Sequence, residues 1–502
     1  MSDVFNACTY LVDRHVEAGN GDRLAVTGPG GTLTYAELLH RAGKVAAGLR
    51  ALRMRPEERV LIFMSDGPDM VSVVLGAMRM GAVPVPVSTM LSAAELTGLL
   101  RDSRARTLVA SPEFAATAEA AARQAPELSG VILDSSGLAG HDTGVYPTSP
   151  DSTALWLYTS GTTGRPKGAV HRHASLRSVV ETYGTQVLGI RPDDRCLSAS
   201  KLFFAYGLGA SCLFPLAVGA SASLLPTRST PDAIAGRLAE DSPTLFFAVP
   251  TFYAALLGAG LPADTFSSVR QAVSAGEPLP AQLYQRFLDR FGVEIIDGLG
   301  ATEALHIFLS NRPGAVRPGS TGVPVPGYDL RLVDDAGADT EPGTPGHLLV
   351  RGDSIATGYW CRTETTRRVF QGEWLRTGDT YIKDQDGYYR FVGRSNDMIK
   401  SSGVWVSPSE VEERLLEHPE IAQAVVVGAN DAEGLEKPVA GVVRTEGSKL
   451  GATEILEFCR EGLPAFKRPR AVLFLDALPT TATGKVQRFV VREMAKNVWA
   501  DQ

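Results

Sequence analysis

A chain of 502 residues is several times the roughly 150 typical of one domain, so two or three packed units are expected, with enough interior to need no disulfide or structural metal. Its charge is mildly acidic, 49 Lys and Arg against 56 Asp and Glu for a net −7, which argues against the basic face of a nucleic-acid binder. The five cysteines are scattered, without CxxC or Cys/His spacing for zinc, and suit a reducing, cytoplasmic setting.

The opening Met1-Ser2-Asp3-Val4-Phe5 lacks the basic and apolar regions of a signal peptide. A helix is expected over 35–53, and short apolar runs at 60–63, 107–109, 131–133, 245–249 and 293–296 alternate with helical stretches. Runs apolar on both faces, spaced by helices, mark a parallel sheet covered by helices, so the main body is α/β. The alanine-rich 115–125 reads as a surface helix and 134–152 as a polar linker. Residues 202–227 carry no charge and raise the question of a membrane span, but Gly207, Gly209, Pro215 and Gly219 interrupt them. They are expected to be buried core, with no membrane partner.

After Pro313 the texture changes to close-set strands at 328–333, 347–351 and 388–392, joined by turns such as Asp335-Ala336-Gly337. This predicts an antiparallel β subdomain. A helix (409–418), two strands (422–428, 439–445), a helix (452–461) and a last strand (471–475) complete a small α+β C-terminal unit. The boundary falls near Arg394 to Asp397, giving an N-terminal domain of 1–395 and a C-terminal domain of 396–502.

The segment Tyr158-Thr159-Ser160-Gly161-Thr162-Thr163-Gly164-Arg165-Pro166-Lys167-Gly168 follows an apolar strand at 154–157. Its glycines let backbone N–H groups converge, its hydroxyls add donors and Lys167 adds charge, a combination suited to a phosphate chain. The spacing GxxGxxK departs from GxxxxGK[ST], which disfavours an ordinary P-loop NTPase.

YTSGTTGRPKG resembles the phosphate loop of the adenylate-forming superfamily of acyl-CoA synthetases, luciferases and peptide-synthetase adenylation domains. Further motifs of that superfamily follow in order across nearly the whole chain. Asp297-Gly298-Leu299-Gly300-Ala301-Thr302-Glu303 is similar to its adenine and magnesium segment, Arg376-Thr377-Gly378-Asp379 to its ribose segment, and Gly393-Arg394-Ser395-Asn396-Asp397-Met398-Ile399-Lys400 to its hinge. Pro479-Thr480-Thr481-Ala482-Thr483-Gly484-Lys485 is similar to its catalytic-lysine loop.

The resemblance implies ATP, Mg²⁺ and coenzyme A as cofactor and co-substrates, and a mobile C-terminal domain. Thr159, Ser160, Gly161, Thr162, Thr163, Gly164 and Lys167 would meet phosphates, with Thr302 near the α-phosphate. Ala275, Gly276 and Glu277 would lie beside adenine, mainly through backbone, together with Asp297, Gly298 and Leu299. Glu303 would help hold Mg²⁺, a hard cation that wants oxygen ligands, and Asp379 and Arg394 would contact the ribose hydroxyls. Lys485 would bridge carboxylate and phosphate oxygens during adenylation. For the thiol step the small domain would rotate about Asn396, where the family usually carries Asp or Lys, and bring Lys400 and Gly403 to the site.

A narrower resemblance, to benzoate-CoA ligases and related aryl-CoA ligases, rests on Lys201-Leu202-Phe203-Phe204-Ala205-Tyr206-Gly207-Leu208-Gly209 and on 305–312. It implies an aromatic carboxylic acid held by Phe204, Ala205, Tyr206, Gly300, His306 and Ile307, since a flat apolar ring needs aromatic walls. His171 and His173 alternate after the phosphate loop without a third ligand and are not expected to bind metal. The expected activity is an acid-thiol ligase working through an aryl-AMP. Two alternatives stay open: delivery of the acyl group to the phosphopantetheine arm of a carrier protein, and a non-catalytic nucleotide-binding protein.

Overall fold

The computed structural model describes residues 4–138, 140–141, 144–160, 166–394, 397, 399–401, 404–431, 435–465, 467–480, 486–496 and 498. Two mostly parallel sheets form the N-terminal body. One runs, in spatial order, Val323–Pro324, Ile307–Ser310, Ile295–Gly300, Gln271–Ala275, Leu245–Ala248, Arg195–Ser198, Ser221–Ser223, Leu24–Gly28 and Gly31–Thr34, parallel through its middle and antiparallel at its ends. The other is fully parallel, in the order Val83–Pro86, Arg59–Phe63, Thr107–Ala110 and Gly130–Ile132.

Helix Tyr35–Ala51 starts where it does because Thr34 and Glu37 form a reciprocal cap, each satisfying an N–H the first turn leaves open. It packs on helix Pro68–Arg79, whose residues are nearly all buried, as expected of a helix enclosed on every side. The contact is so close that a Cβ on Gly76 would lie 2.6 Å from the Val45 side chain.

The strand expected at 293–296 begins at Ile295 and continues to Gly300, because Gln271–Ala275 on one side and Ile307–Ser310 on the other keep it paired. Residues 202–227 break into short helical turns and the strand Ser221–Ser223 and are largely buried. Among the described residues no helix is long and apolar enough to cross a membrane. Helix Ala115–Ala122 is shorter than expected, and it is not simply a surface helix: Ala118 and Ala121 are fully buried against the four-stranded sheet's core.

Asp329–Val333, Gly346–Arg351, Trp374–Lys383 and Tyr389–Arg394 build the antiparallel sheet, with the short Phe370–Gln371 at its edge. Beyond it, Ile421–Asn430, Glu436–Arg444 and Ala471–Phe474 form a three-stranded sheet flanked by helices Pro408–Leu416, Ala452–Gly462 and Arg488–Ala495. Its apolar side chains, among them Val411, Val426, Val442 and Ile455, pack into clusters of their own.

Candidate active site

The site lies at the carboxyl ends of the central parallel strands, where open α/β sheets bind ligands. Gln271–Ala275 and Ile295–Gly300 run side by side, with Ser274 opposite Asp297 and Ala275 opposite Gly298, so the two sequence segments expected around adenine are neighbours. Gly276 follows at φ +91°, a turn that favours glycine. Asp297 is buried, and burial holds its carboxyl well above the usual range. Glu277 accepts a hydrogen bond from the Thr251 N–H (3.1 Å), which pins the loop after the strand.

The two flanks of the phosphate-loop sequence are an antiparallel pair of strands. Strands Thr153–Ser160 and Pro166–Arg172 pair with Thr159 opposite Lys167. Gly161, Thr162, Thr163 and Gly164 lie outside the described residues, as do Asn396, Gly403 and Lys485. The backbone of Lys400 pairs with Trp405 in the hairpin Ile399–Ser401 and Val404–Val406. Asp379 is buried on its strand directly opposite Arg394, so the two residues expected at the ribose are cross-strand neighbours.

Glu303 sits in the short turn Thr302–Ala304 that follows the strand Ile295–Gly300. Two contacts fix this turn: the His171 ring nitrogen Nε2 meets the Thr302 carbonyl at 2.9 Å, and the Ala356 N–H donates to the Glu303 carbonyl (2.8 Å). The Tyr359 hydroxyl donates to Glu303 Oε1, and the Lys167 ammonium lies 4.5 Å from the centroid of the same tyrosine ring. Burial lowers the Lys167 pKa while the Glu303 charge opposes that shift. His171 is held down to about 4 by burial and is neutral near pH 7. Among the described residues no three His, Cys, Asp or Glu gather to hold a metal; the His173 ring accepts the Ala7 N–H (3.0 Å).

The residues expected around an aryl ring come together beside this turn. Tyr206, in the short helix Ala205–Leu208, donates its hydroxyl to the Val273 carbonyl at 2.9 Å. His306 packs against Tyr206 (5.5 Å between centroids), Tyr183 (5.6 Å) and Phe214 (4.5 Å), and burial drives its pKa to about 3. It is therefore a neutral, flat wall. Ile307 pairs with Gly300, and a Cβ on Gly300 would lie 2.7 Å from the His306 carbonyl. Phe204 and Ala205 are partly exposed, while Phe203 is buried edge-on to Phe204 at 4.4 Å.

Sequence reasoning passed over three side chains here: Tyr359, Tyr183 and Asp66. Asp66 is buried, accepts the Leu202 N–H with both carboxylate oxygens (3.1 and 3.2 Å), and so anchors the segment that carries Phe204 to Tyr206. No local pattern marks them, since their partners are distant in sequence; the tyrosine in Gly358-Tyr359-Trp360 was the one available signal, as an aromatic next to a glycine.

Comparison with known proteins gives a consistent picture. The AMP-binding enzyme family matches residues 12–360 and the AMP-binding enzyme C-terminal domain matches 410–485. The chain is 43% identical to a benzoate–CoA ligase of Thauera aromatica over 97% of this chain and 96% of that one. The crystal structure of a benzoate CoA ligase from Burkholderia xenovorans superposes with a TM-score of 0.92 at 42% identity, covering 97% of this chain and all of the other. An anthranilate CoA ligase solved with anthranoyl-AMP gives 0.94 at 37% identity, covering 99% and 98%.

Proposed function

The chain belongs to the AMP-binding enzyme family, and on that premise we propose that it is an ATP-dependent aryl-CoA ligase acting on benzoate or a substituted benzoate. The observation that carries this reading is the neutral aromatic wall of His306, Tyr206, Tyr183 and Phe214 set directly beside the Thr302–Ala304 turn. A ring resting on it would meet an aromatic face, and no charged group of that wall would have to be desolvated with it.

In the first half-reaction a carboxylate oxygen attacks the α-phosphorus of ATP, forming aryl-AMP and releasing pyrophosphate. Both reactants are anions, so the site must cancel their repulsion and hold them in line. Lys167 and the hydroxyls and N–H groups of 159–164 receive the phosphates, and Thr302 reaches the α-phosphate region. Asp379 accepts from the ribose hydroxyls and Arg394 donates to them, while 275–277 and 297–299 frame adenine. Lys485 stabilises the negative charge shared by the attacking carboxylate and the phosphate oxygens.

The donor set fits magnesium: Mg²⁺ is commonly held by one or two carboxylates plus substrate phosphates, and Glu303 offers one carboxylate beside the phosphate hairpin. Bound there by Glu303, Mg²⁺ would neutralise phosphate charge. In the second half-reaction the CoA thiol loses its proton, its sulfur attacks the aryl carbonyl and AMP leaves. For that step residues 396–502 turn as a unit about Asn396, withdrawing Lys485 and bringing Lys400 and Gly403 to the site.

Pyrophosphate release from purified protein with ATP, Mg²⁺ and a panel of benzoates, cinnamates and fatty acids tests the reading, each acid run with and without CoA. Benzoates should be turned over fastest, with CoA-dependent release of AMP. Faster turnover of fatty acids would sink the aryl assignment, and pyrophosphate release with no CoA thioester would move the acceptor to a carrier protein.

A further inference from the structure

Tyr359 sits where the phosphate hairpin and the Glu303 turn meet, and its backbone is held from several sides. It bridges to Ala169 on the second strand of the hairpin. The Val170 N–H donates to the Gly358 carbonyl (3.0 Å), the Trp360 N–H to the Gly168 carbonyl (2.9 Å), and the Tyr359 N–H to the Thr366 hydroxyl (3.0 Å). Gly358 has φ +146°, and a Cβ there would meet the Thr366 methyl at 2.7 Å, so the turn that aims the tyrosine needs glycine. Phe370 closes the other side edge-on at 5.3 Å. A side chain braced this way has little freedom to move.

From this rigid base the ring makes two polar contacts of opposite sign. Its hydroxyl donates to Glu303 Oε1, and its face carries the Lys167 ammonium at 4.5 Å. The one ring therefore contacts both a cation and an anion that attract each other. Direct pairing would leave neither free to meet a ligand. A buried tyrosine can satisfy its hydroxyl with any backbone carbonyl, as Tyr206 and Tyr253 do with Val273. Here it spends the bond on the motif's carboxylate, which fixes the rotation of that carboxylate and leaves Oε2 to accept a cation.

We propose that Tyr359 is the positioning residue of the metal–triphosphate end of the site, orienting Glu303 toward the cation and Lys167 toward the phosphates while keeping the two apart. This rests on the reading of Glu303 as the cation-facing carboxylate. Groups that orient a metal ligand typically contribute 10–100-fold in metal affinity, and a hydrogen bond to a charged group is among the stronger kinds.

The test compares wild type with Tyr359→Phe and Tyr359→Leu in the full chain, by calorimetry with MgATP and, separately, with AMP. AMP lacks the β- and γ-phosphates and needs no metal, so it reports the adenine and ribose contacts alone. Tyr359→Phe, which keeps the ring, should weaken MgATP by about 10-fold and leave AMP unchanged; Tyr359→Leu, which also removes the face under Lys167, should weaken MgATP further. Thioester formation from supplied aryl-AMP and CoA should survive in Tyr359→Phe. Equal weakening of MgATP and AMP would make the tyrosine a mere packing residue, and unchanged MgATP affinity would make the hydrogen bond irrelevant; either overturns the proposal. Because binding is read without an acid, wild type that binds MgATP but turns over no benzoate would refute the aryl-ligase reading and leave the Tyr359 result standing.

Discussion

The aryl wall and the C-terminal unit are built in opposite ways. Around His306 the chain is packed to contact: a Cβ on Gly209 would lie 2.2 Å from the imidazole ring, and one on Gly207 would lie 2.1 Å from the Lys201 carbonyl. The C-terminal unit has its own small core and meets the body through polar contacts, such as the Ser409 hydroxyl donating to the Val392 carbonyl at 2.9 Å. Near its start, Arg492 pairs with Asp397 at 3.2 Å, beside the proposed pivot Asn396. A dense apolar wall permits one shape of ligand, whereas a unit joined by replaceable polar contacts changes position at small cost. The first region suits choice of the acid and the second suits exchange between two half-reactions.

The largest expected effect lies in the second region. Lys485→Ala should lower the rate of aryl-AMP formation by about 100-fold or more, since the proposed role of Lys485 is to stabilise charge in that transition state, yet spare thioester formation from supplied aryl-AMP. Stopped-flow measurement of each half-reaction checks this, and equal losses in both would break the assignment of separate tasks.

In the wall, Gly209→Ala forces a methyl into the His306 ring. Overpacking of this kind costs about 1–3 kcal/mol, and it should appear as a raised KM for the aryl acid with little change for ATP. Equal changes in both values would mean that the ring rests elsewhere.

Asp66 gives a subtler test of the same wall. Burial raises its pKa to about 6, above the value near 4 of an unfolded aspartate, so the folded chain binds this proton more tightly. The stability this group contributes is full below pH about 4 and is lost as pH rises through about 6. Asp66→Asn keeps an oxygen to accept the Leu202 N–H and has no charge to bury. It should be more stable than wild type by about 3 kcal/mol at pH 7.5 and similar to it near pH 4, by denaturant melts at both values. Smallest of all, Arg390→Gln, which loses the ion pair to Glu410 across the boundary, should change stability by less than about 1 kcal/mol while shifting the ratio of the two half-reaction rates. An altered KM for the acid in that variant would contradict the division between the regions.

The elements were legible where periodicity is strong. The parallel runs, the antiparallel stretch after residue 313 and the C-terminal α+β pattern all appear within a few residues of their expected bounds. The motif segments were legible because each is contiguous and carries its glycines and charges within a dozen residues. What stayed hidden joins parts of the chain that only folding brings together: Tyr359 reaches Glu303 across 56 positions, His171 reaches Thr302 across 131 and Asp66 reaches Leu202 across 136. A lone tyrosine, histidine or aspartate has no spacing to betray it, and its role is set by a partner with no local mark. The strand Ile295–Gly300 outran its expected end for a related reason, since cross-strand pairing rather than β-propensity holds the glycine-rich part in place.

The most direct test is mass spectrometry of the product formed by the purified chain from benzoate, ATP, Mg²⁺ and CoA. The account predicts benzoyl-CoA together with equimolar AMP and pyrophosphate, and no thioester when ATP is omitted. Absence of any aryl thioester across the benzoates, with thioester formed instead from an aliphatic acid, would contradict it.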